Sequence, residues 1–265
     1  MSPFADTHCH LDFRAFESDR QIVIDDATAN GISRILTPGI NVDSSCAAVE
    51  IAGEYPVVYA AVGVHPNDAK SWSLSTLSSL KKLAQHPKTR AIGEIGLDYY
   101  RDYSPHELQK EIFQAQLDLA AQLALPIVVH NRNADVDMFQ MLSEWQSELV
   151  SSHNPLAERP GVLHSFSGDF ESAKRAVSWN FFLGITGPVT FRKADTLREI
   201  VREISIESLI IETDAPFLTP HPHRGKRNEP SHVRFIAGKI AEIKGISIEE
   251  VGQSTSENAE RLFKW

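Results

Sequence analysis

Ala91-Ile92-Gly93-Glu94-Ile95 is a short apolar run and Ile127-Val128-Val129-His130 is another. Between them, residues 104–124 carry Leu108, Ile112, Ala115, Leu119 and Leu123 at spacings of three and four. The outer runs read as strands and the middle stretch as a helix with one buried face. Working outward, the same alternation fills the chain. Strands are predicted at 4–10, 34–38, 57–64, 91–95, 127–130, 161–164, 181–185 and 209–213. Helical patterns fall near 19–30, 43–54, 73–85, 104–124, 134–148, 169–179, 194–204 and 230–244. Eight strands alternating with eight helices imply parallel pairing in an α/β fold. The count points to a single-domain (β/α)8 TIM-type barrel over residues 1–265, a fold that takes roughly 250 residues.

Two capping boxes are expected. In Ser104-Pro105-His106-Glu107, Ser104 reads as N-cap, Pro105 as the first helical residue and Glu107 as the reciprocal acceptor. Ser254 and Glu257 would open a short terminal helix carrying Ala259, Leu262 and Phe263, packed as a lid on the barrel's outside. The polar stretch 146–160 reads as a surface loop.

Composition excludes several classes. The chain is 42% hydrophobic, and no apolar run approaches the ~20 residues of a membrane span. Met1 to Asp6 lacks the basic and apolar regions of a secretory signal. The two cysteines, Cys9 and Cys46, form no C-x-x-C pattern, which argues against a disulfide framework and for a reducing cytoplasm. A net charge of -9 gives no global attraction for nucleic acid, so a polyanionic partner needs a local basic patch.

Eleven histidines supply the chemical signal. His8, His10, His65, His130 and His164 fall at or just past the C-terminal ends of expected strands, where α/β barrels collect their working groups. In Asp6-Thr7-His8-Cys9-His10, strand alternation sends His8 and His10 to one side and Cys9 to the other. Glu94 sits near the end of an apolar strand, where a buried carboxylate needs a cation or strong donors. Glu212 and Asp214 close the eighth strand two residues apart, on one face. Asp214 is the expected ligand and proton acceptor, and Glu212 the group that orients a neighbour. Each motif alone also fits a hydrogen-bonded core residue or a salt bridge. Together, four histidines and two carboxylates suit one or two divalent cations such as zinc, magnesium or manganese.

These motifs resemble the TatD-type deoxyribonucleases, a branch of the metal-dependent amidohydrolase-like barrels. The resemblance is carried by Asp6-Thr7-His8-Cys9-His10-Leu11-Asp12, Gly63-Val64-His65-Pro66, Gly93-Glu94-Ile95-Gly96-Leu97-Asp98-Tyr99-Tyr100 and Pro126-Ile127-Val128-Val129-His130-Asn131-Arg132. It continues through His164-Ser165-Phe166-Ser167-Gly168, Glu212-Thr213-Asp214-Ala215-Pro216 and Arg224-Gly225-Lys226-Arg227-Asn228-Glu229-Pro230. It implies that His8, His10, Asp214 and Glu94 hold one metal, and that His130 and His164 hold a second with Glu94 bridging. The implied activity is hydrolysis of DNA phosphodiesters, exonucleolytic from a 3′ end, with single strands or ends as substrate. Asn133, where an acidic residue is frequent, and the long 146–160 stretch depart from the family's usual form.

For phosphate capture the expected donors are His65, Arg132, Arg224 and Arg227, with Tyr99 and Tyr100 as stacking candidates. Competing readings are an aminoacyl-tRNA deacylase, a small-molecule amidohydrolase, or a metal-stabilised binding module without activity. A monomer is compatible with the sequence, which leaves oligomeric state open.

Overall fold

The computed structural model describes residues 4–101 and 103–265. Residues 1–3, part of the stretch read for a secretory signal, lie outside the described residues. Eight strands run in the order β1 (Phe4–Asp6), β2 (Ile32–Pro38), β3 (Val58–Val62), β4 (Thr89–Asp98), β5 (Ile127–Arg132), β6 (Gly161–Leu163), β7 (Phe182–Ile185) and β8 (Leu209–Ile211). Every neighbouring pair along that order is parallel. The helices between and after them are α1 (Arg20–Ala29), α2 (Val42–Glu54), α3 (Thr76–Leu83), α4 (His106–Leu123), α5 (Asp135–Ser151), α6 (Phe170–Ser178), α7 (Asp195–Glu203), α8 (Val233–Lys244) and α9 (Ile248–Phe263). The fold is the expected single-domain α/β barrel.

Strand alternation sorts the apolar side chains into two clusters. In β5, Ile127 and Val129 pack outward with the helices, while Val128 packs inward. The inner layer takes one residue from each strand: Ala5, Leu36, Ala61, Ala91, Val128, Val162, Phe182 and Ile210. This fills the interior as a packed core. The same parity decides where the chemistry points. Two residues beyond Val128, Val162 and Ile210 come His130, His164 and Glu212, on the inner face. β4 needs an adjustment, because Ala91 and Glu94 differ in parity. Its pairing with β5 shifts register between Ile92 and Ile95, so Ile95 and Leu97 point outward and Glu94 turns into the barrel. At Gly96, φ is 141° and a Cβ would overlap the His130 carbonyl, so only glycine lets β4 approach β5 there.

Closure rests on a sparse seam. Among the described residues, β8 and β1 meet through an isolated parallel bridge, Cys9 with Ala215. Thr7 N donates to Ile211 O (3.2 Å), Asp214 N to His8 O (2.8 Å) and His10 N to Ala215 O (2.8 Å). The buried Asp6 carboxylate adds a side-chain tie, accepting from Thr213 N (2.8 Å) and Thr213 Oγ1 (2.6 Å).

Three local expectations are corrected. α4 begins at His106, after Pro105, without a capping box. Ser104 Oγ turns away to donate to Asn67 O, while Glu107 pairs with Lys110 at 2.6 Å. The terminal helix starts earlier than expected. Its capping box is Ser247 with Glu250, and Ser254 and Glu257 lie inside the helix. That helix is also not an outer lid: Ala259, Leu262, Phe263 and the following Trp265 join the inner layer. They close the end of the barrel opposite the histidines. Finally, 146–160 is mostly ordered structure, α5 continuing to Ser151 and a 3-10 turn spanning Pro155–Glu158.

Candidate metal centre

The side chains at the C-terminal strand ends converge on one cavity. His8 and His10 arrive from the segment after β1, His65 from the segment after β3, and Glu94 and Asp98 from β4. His130 lies on β5, His164 directly follows β6, and Glu212 and Asp214 follow β8. His8 Nε2 and His10 Nε2 are 3.2 Å apart. Glu94 Oε2 lies 3.4 Å from His8 Nε2 and 3.7 Å from His10 Nε2. Asp214 Oδ1 lies 3.8 and 3.6 Å from the same two nitrogens. Ligands about 2.0–2.2 Å from a tetrahedral zinc are separated by roughly 3.3–3.6 Å, and His8, His10 and Glu94 come together on that scale, with Asp214 Oδ1 within reach of both histidines. The Nδ1 atoms of His8 and His10 are buried without a hydrogen-bond partner among the described residues, so both rings engage polar groups through Nε2.

Glu94 faces two ways. Its Oε1 lies 3.0 Å from His130 Nδ1 and 3.6 Å from His65 Nε2. His65 Nδ1, however, accepts the Asn67 backbone N–H at 3.0 Å. Burial, then His130, pushes the His65 pKa down to about 3, so the ring is neutral with its one proton on Nε2. His65 is therefore arranged as a donor toward Glu94 rather than as a metal ligand. His164 comes together with His8 and Asp214, not with His130 as the two-site division implied by the resemblance has it. Its Nε2 is 3.7 Å from Asp214 Oδ1, and its Nδ1 is 2.8 Å from Glu212 Oε1. The Glu212 contact is an ion pair without hydrogen-bond geometry, His164 Nδ1 having no hydrogen-bond partner among the described residues. Gly184 leaves room for it: a Cβ there would overlap the Glu212 carboxylate.

Electrostatics favours ionised carboxylates. Burial works against the Glu94 charge, but the surrounding histidines, His130 and His8 through side-chain hydrogen bonds, outweigh it and hold the carboxyl well below its ordinary value. Asp214 is likewise lowered, burial being outweighed by the His10 hydrogen bond and by His164 and His8. His164 goes the other way, up to about 10, because Glu212, Asp214 and Glu94 overcome the burial that would lower it. Without a metal, protons on histidine compensate the buried acids; with one, the cation takes that place.

The loop carrying Asp214 is pinned. Asp214 has φ 57°, in the left-handed region that aspartate tolerates better than most residues. Asn228 Nδ2 donates to Thr213 O (2.8 Å) and Phe217 O (2.7 Å) on either side of it. Sequence reading assigned no role to Asn228, or to Asp98, whose Oδ2 lies 3.3 Å from His130 Nε2. Asp98 was visible as a second inward carboxylate after Glu94. Asn228 carried no local signal, because its partners lie 11 and 15 residues away.

The expected phosphate donors separate. Arg132 lies with its guanidinium carbon 3.8 Å over the exposed Tyr100 ring, and Arg224 lies likewise 3.7 Å over Phe191. Arg227 is engaged by Asp19 (2.9 and 2.7 Å), Glu229 (2.9 Å) and Ala15 O (2.5 Å). Tyr99 is tied to Asp137 at 2.6 Å, which leaves Tyr100 as the exposed member of that pair. A cavity of about 650 Å³ opens beside His164, walled in part by Ser165, Thr186, Phe191 and Arg224.

The chain is similar to known proteins over nearly its whole length. The family described as TatD related DNase matches residues 5–264. The uncharacterized metal-dependent hydrolase YabD of Bacillus subtilis is 44% identical over 259 residues, 98% of each chain. The 3′-5′ ssDNA/RNA exonuclease TatD of Citrobacter koseri is 36% identical over 264 residues, 97% of this chain and 98% of that one. Among solved structures, YJJV, a TatD homolog from Escherichia coli K12, matches with a TM-score of 0.91 at 29% identity, covering 99% of this chain and 98% of that one.

Proposed function

The chain belongs to the TatD-related DNase family of metal-dependent hydrolases, and on that premise we propose that it hydrolyses DNA phosphodiester bonds as a 3′-5′ exonuclease on single strands or ends. The observation that carries the reading is the Glu94 carboxylate, one oxygen turned to His8 and His10 and the other to His130. That is the disposition of a bridge. His8, His10, Glu94 and Asp214 would hold one divalent cation, and Glu94 with His130 would take part in a second site. A cation held there would polarise the phosphoryl group and bring the pKa of an attacking water toward about 7. Asp214, ionised and fixed by its loop, accepts the proton of that water, a contribution of typically 10²–10⁴-fold. Glu212 holds the His164 ring in place. His65 supplies a neutral N–H donor, and Arg132 and Arg224 attract the polyanion. The 3′-5′ polarity and strand class are supported by similarity to relatives named as 3′-5′ ssDNA/RNA exonucleases.

The test is release of nucleotides from end-labelled single-stranded oligonucleotides in magnesium, manganese or zinc. Stepwise loss from the 3′ end, abolished by chelator, is the expected result. Release from neither DNA nor RNA in any of the three metals, with turnover of aminoacyl esters or amides, would replace this reading with that of a different metal-dependent hydrolase.

A further inference from the structure

The cavity beside His164 has a composition that the hydrolytic chemistry does not use. Its rim carries three exposed cations, Arg192, Lys193 and Arg224, and two phenylalanines line it, Phe166 buried and Phe191 half-buried. At about 650 Å³ it lies within the roughly 300–1,000 Å³ of small-ligand sites. Its inner wall is continuous with the metal centre. Ser165 follows His164, donates its N–H to Glu212 Oε1 at 2.5 Å, and places Oγ 2.9 Å from Thr186 Oγ1. The aromatic platform is held from behind: Arg198 donates through Nε to Val189 O (3.2 Å) and through Nη2 to Phe191 O. A carboxylate also lines the cavity, Asp169, but its Oδ1 accepts the Ser172 N–H at 2.7 Å as the N-cap of α6. The balance at the rim is positive in a chain whose net charge is -9.

We infer that this cavity receives one nucleotide of the substrate strand, its base stacked at Phe191 and Arg224 and its phosphate among Arg192, Lys193 and Arg224. The inference rests on the exonuclease reading and names the subsite that reading lacks. Stacking on an aromatic or guanidinium plane tolerates any base, and cations set around the platform fix the backbone beside it. A platform held rigid before binding loses little ordering entropy. A strand with its scissile phosphate at Glu94 and Asp214 can therefore seat a neighbouring nucleotide here without sequence preference.

The experiment measures equilibrium binding of two probes to the metal-loaded protein, deoxyadenosine 5′-monophosphate and 2-deoxyribose 5-phosphate. The difference between them isolates the base. The wild type should bind the nucleotide about tenfold more tightly than the base-free sugar phosphate, the gain expected of one stacking contact. Phe191→Leu keeps apolar bulk but has no flat face, and should lose that difference. Phe191→Tyr should retain it, which a merely structural role for the ring would not require. Arg224→Gln and Lys193→Gln should weaken both probes. Equal affinity for the two probes, or unaltered nucleotide binding in Phe191→Leu, overturns the subsite even if DNA is degraded normally. Nucleotide binding that depends on Phe191 in a protein inert toward DNA would leave the subsite standing and remove the exonuclease reading.

Discussion

Glu94 combines two conditions that rarely coexist: it is buried, and its neighbours keep it ionised. Replacing it by glutamine keeps the shape and removes the charge that draws a cation between the histidines. Glu94→Gln should therefore lose bound metal on elemental analysis and lower kcat by 10²-fold or more. Glu94→Ala and Asp214→Ala should each abolish turnover with an unchanged circular dichroism spectrum; near-normal rates in either would remove its assigned role. For Asp214→Asn the loss should fall at about 10²–10⁴-fold, the size of a missing proton acceptor. Residues of this kind were legible in sequence because a polar side chain ending an apolar strand is conspicuous. Arg227 was not. It belongs to a basic run, and its partner Asp19 lies 208 residues away, so nothing local separated it from Arg224.

Among the elements, α9 plugs the end of the barrel with buried apolar side chains. Phe263 and Leu262 stand beneath the eight strands, in one buried cluster with Ala5, Val128, Phe182 and Ile210, and Phe263 packs against the Trp265 ring at 4.8 Å. Phe263→Ala should cost about 3–5 kcal/mol in urea unfolding and leave the metal content unchanged, since the plug lies at the far end from the histidines. Removing the cap with Ser247→Ala should cost about 1 kcal/mol. An unchanged unfolding midpoint in both variants would show that the helix is not part of the cooperative core. The sequence held two S-x-x-E patterns seven residues apart, and only the packing of α8 decides between them. Gly245, at φ 68°, ends α8 and forces the chain to restart at Ser247. Strand lengths were misjudged for a related reason. β1 and β8 stop at Asp6 and Ile211, and the residues after them bond to each other across the seam through an isolated bridge and single backbone bonds instead of a continuous ladder.

At the scale of the molecule, an acidic chain sets three cations, Arg192, Lys193 and Arg224, around the cavity beside its carboxylates and histidines. If Arg132, Arg224 and the Arg192–Lys193 pair meet about three phosphates, the affinity of a turnover-deficient Asp214→Asn protein for single-stranded DNA should fall with salt. The expected slope of log K against log salt is about -2, at roughly 0.7 per phosphate. A slope near zero would take these cations out of binding. Among the described residues, no helix is long and apolar enough to cross a membrane. The barrel was legible as a count of alternating elements. How it closes was not, because closure is decided by pairing between residues about 200 positions apart. The β8–β1 seam is one bridge, a few backbone bonds and the Asp6 carboxylate, and His8, His10 and Asp214 stand on its two sides. Contacts of such separation carry the largest loop-closure entropy and tend to form late in folding. Metal uptake by His8, His10 and Asp214 together would then mark the moment the ring is joined, while Glu94 and His130, on β4 and β5, stand together before it closes.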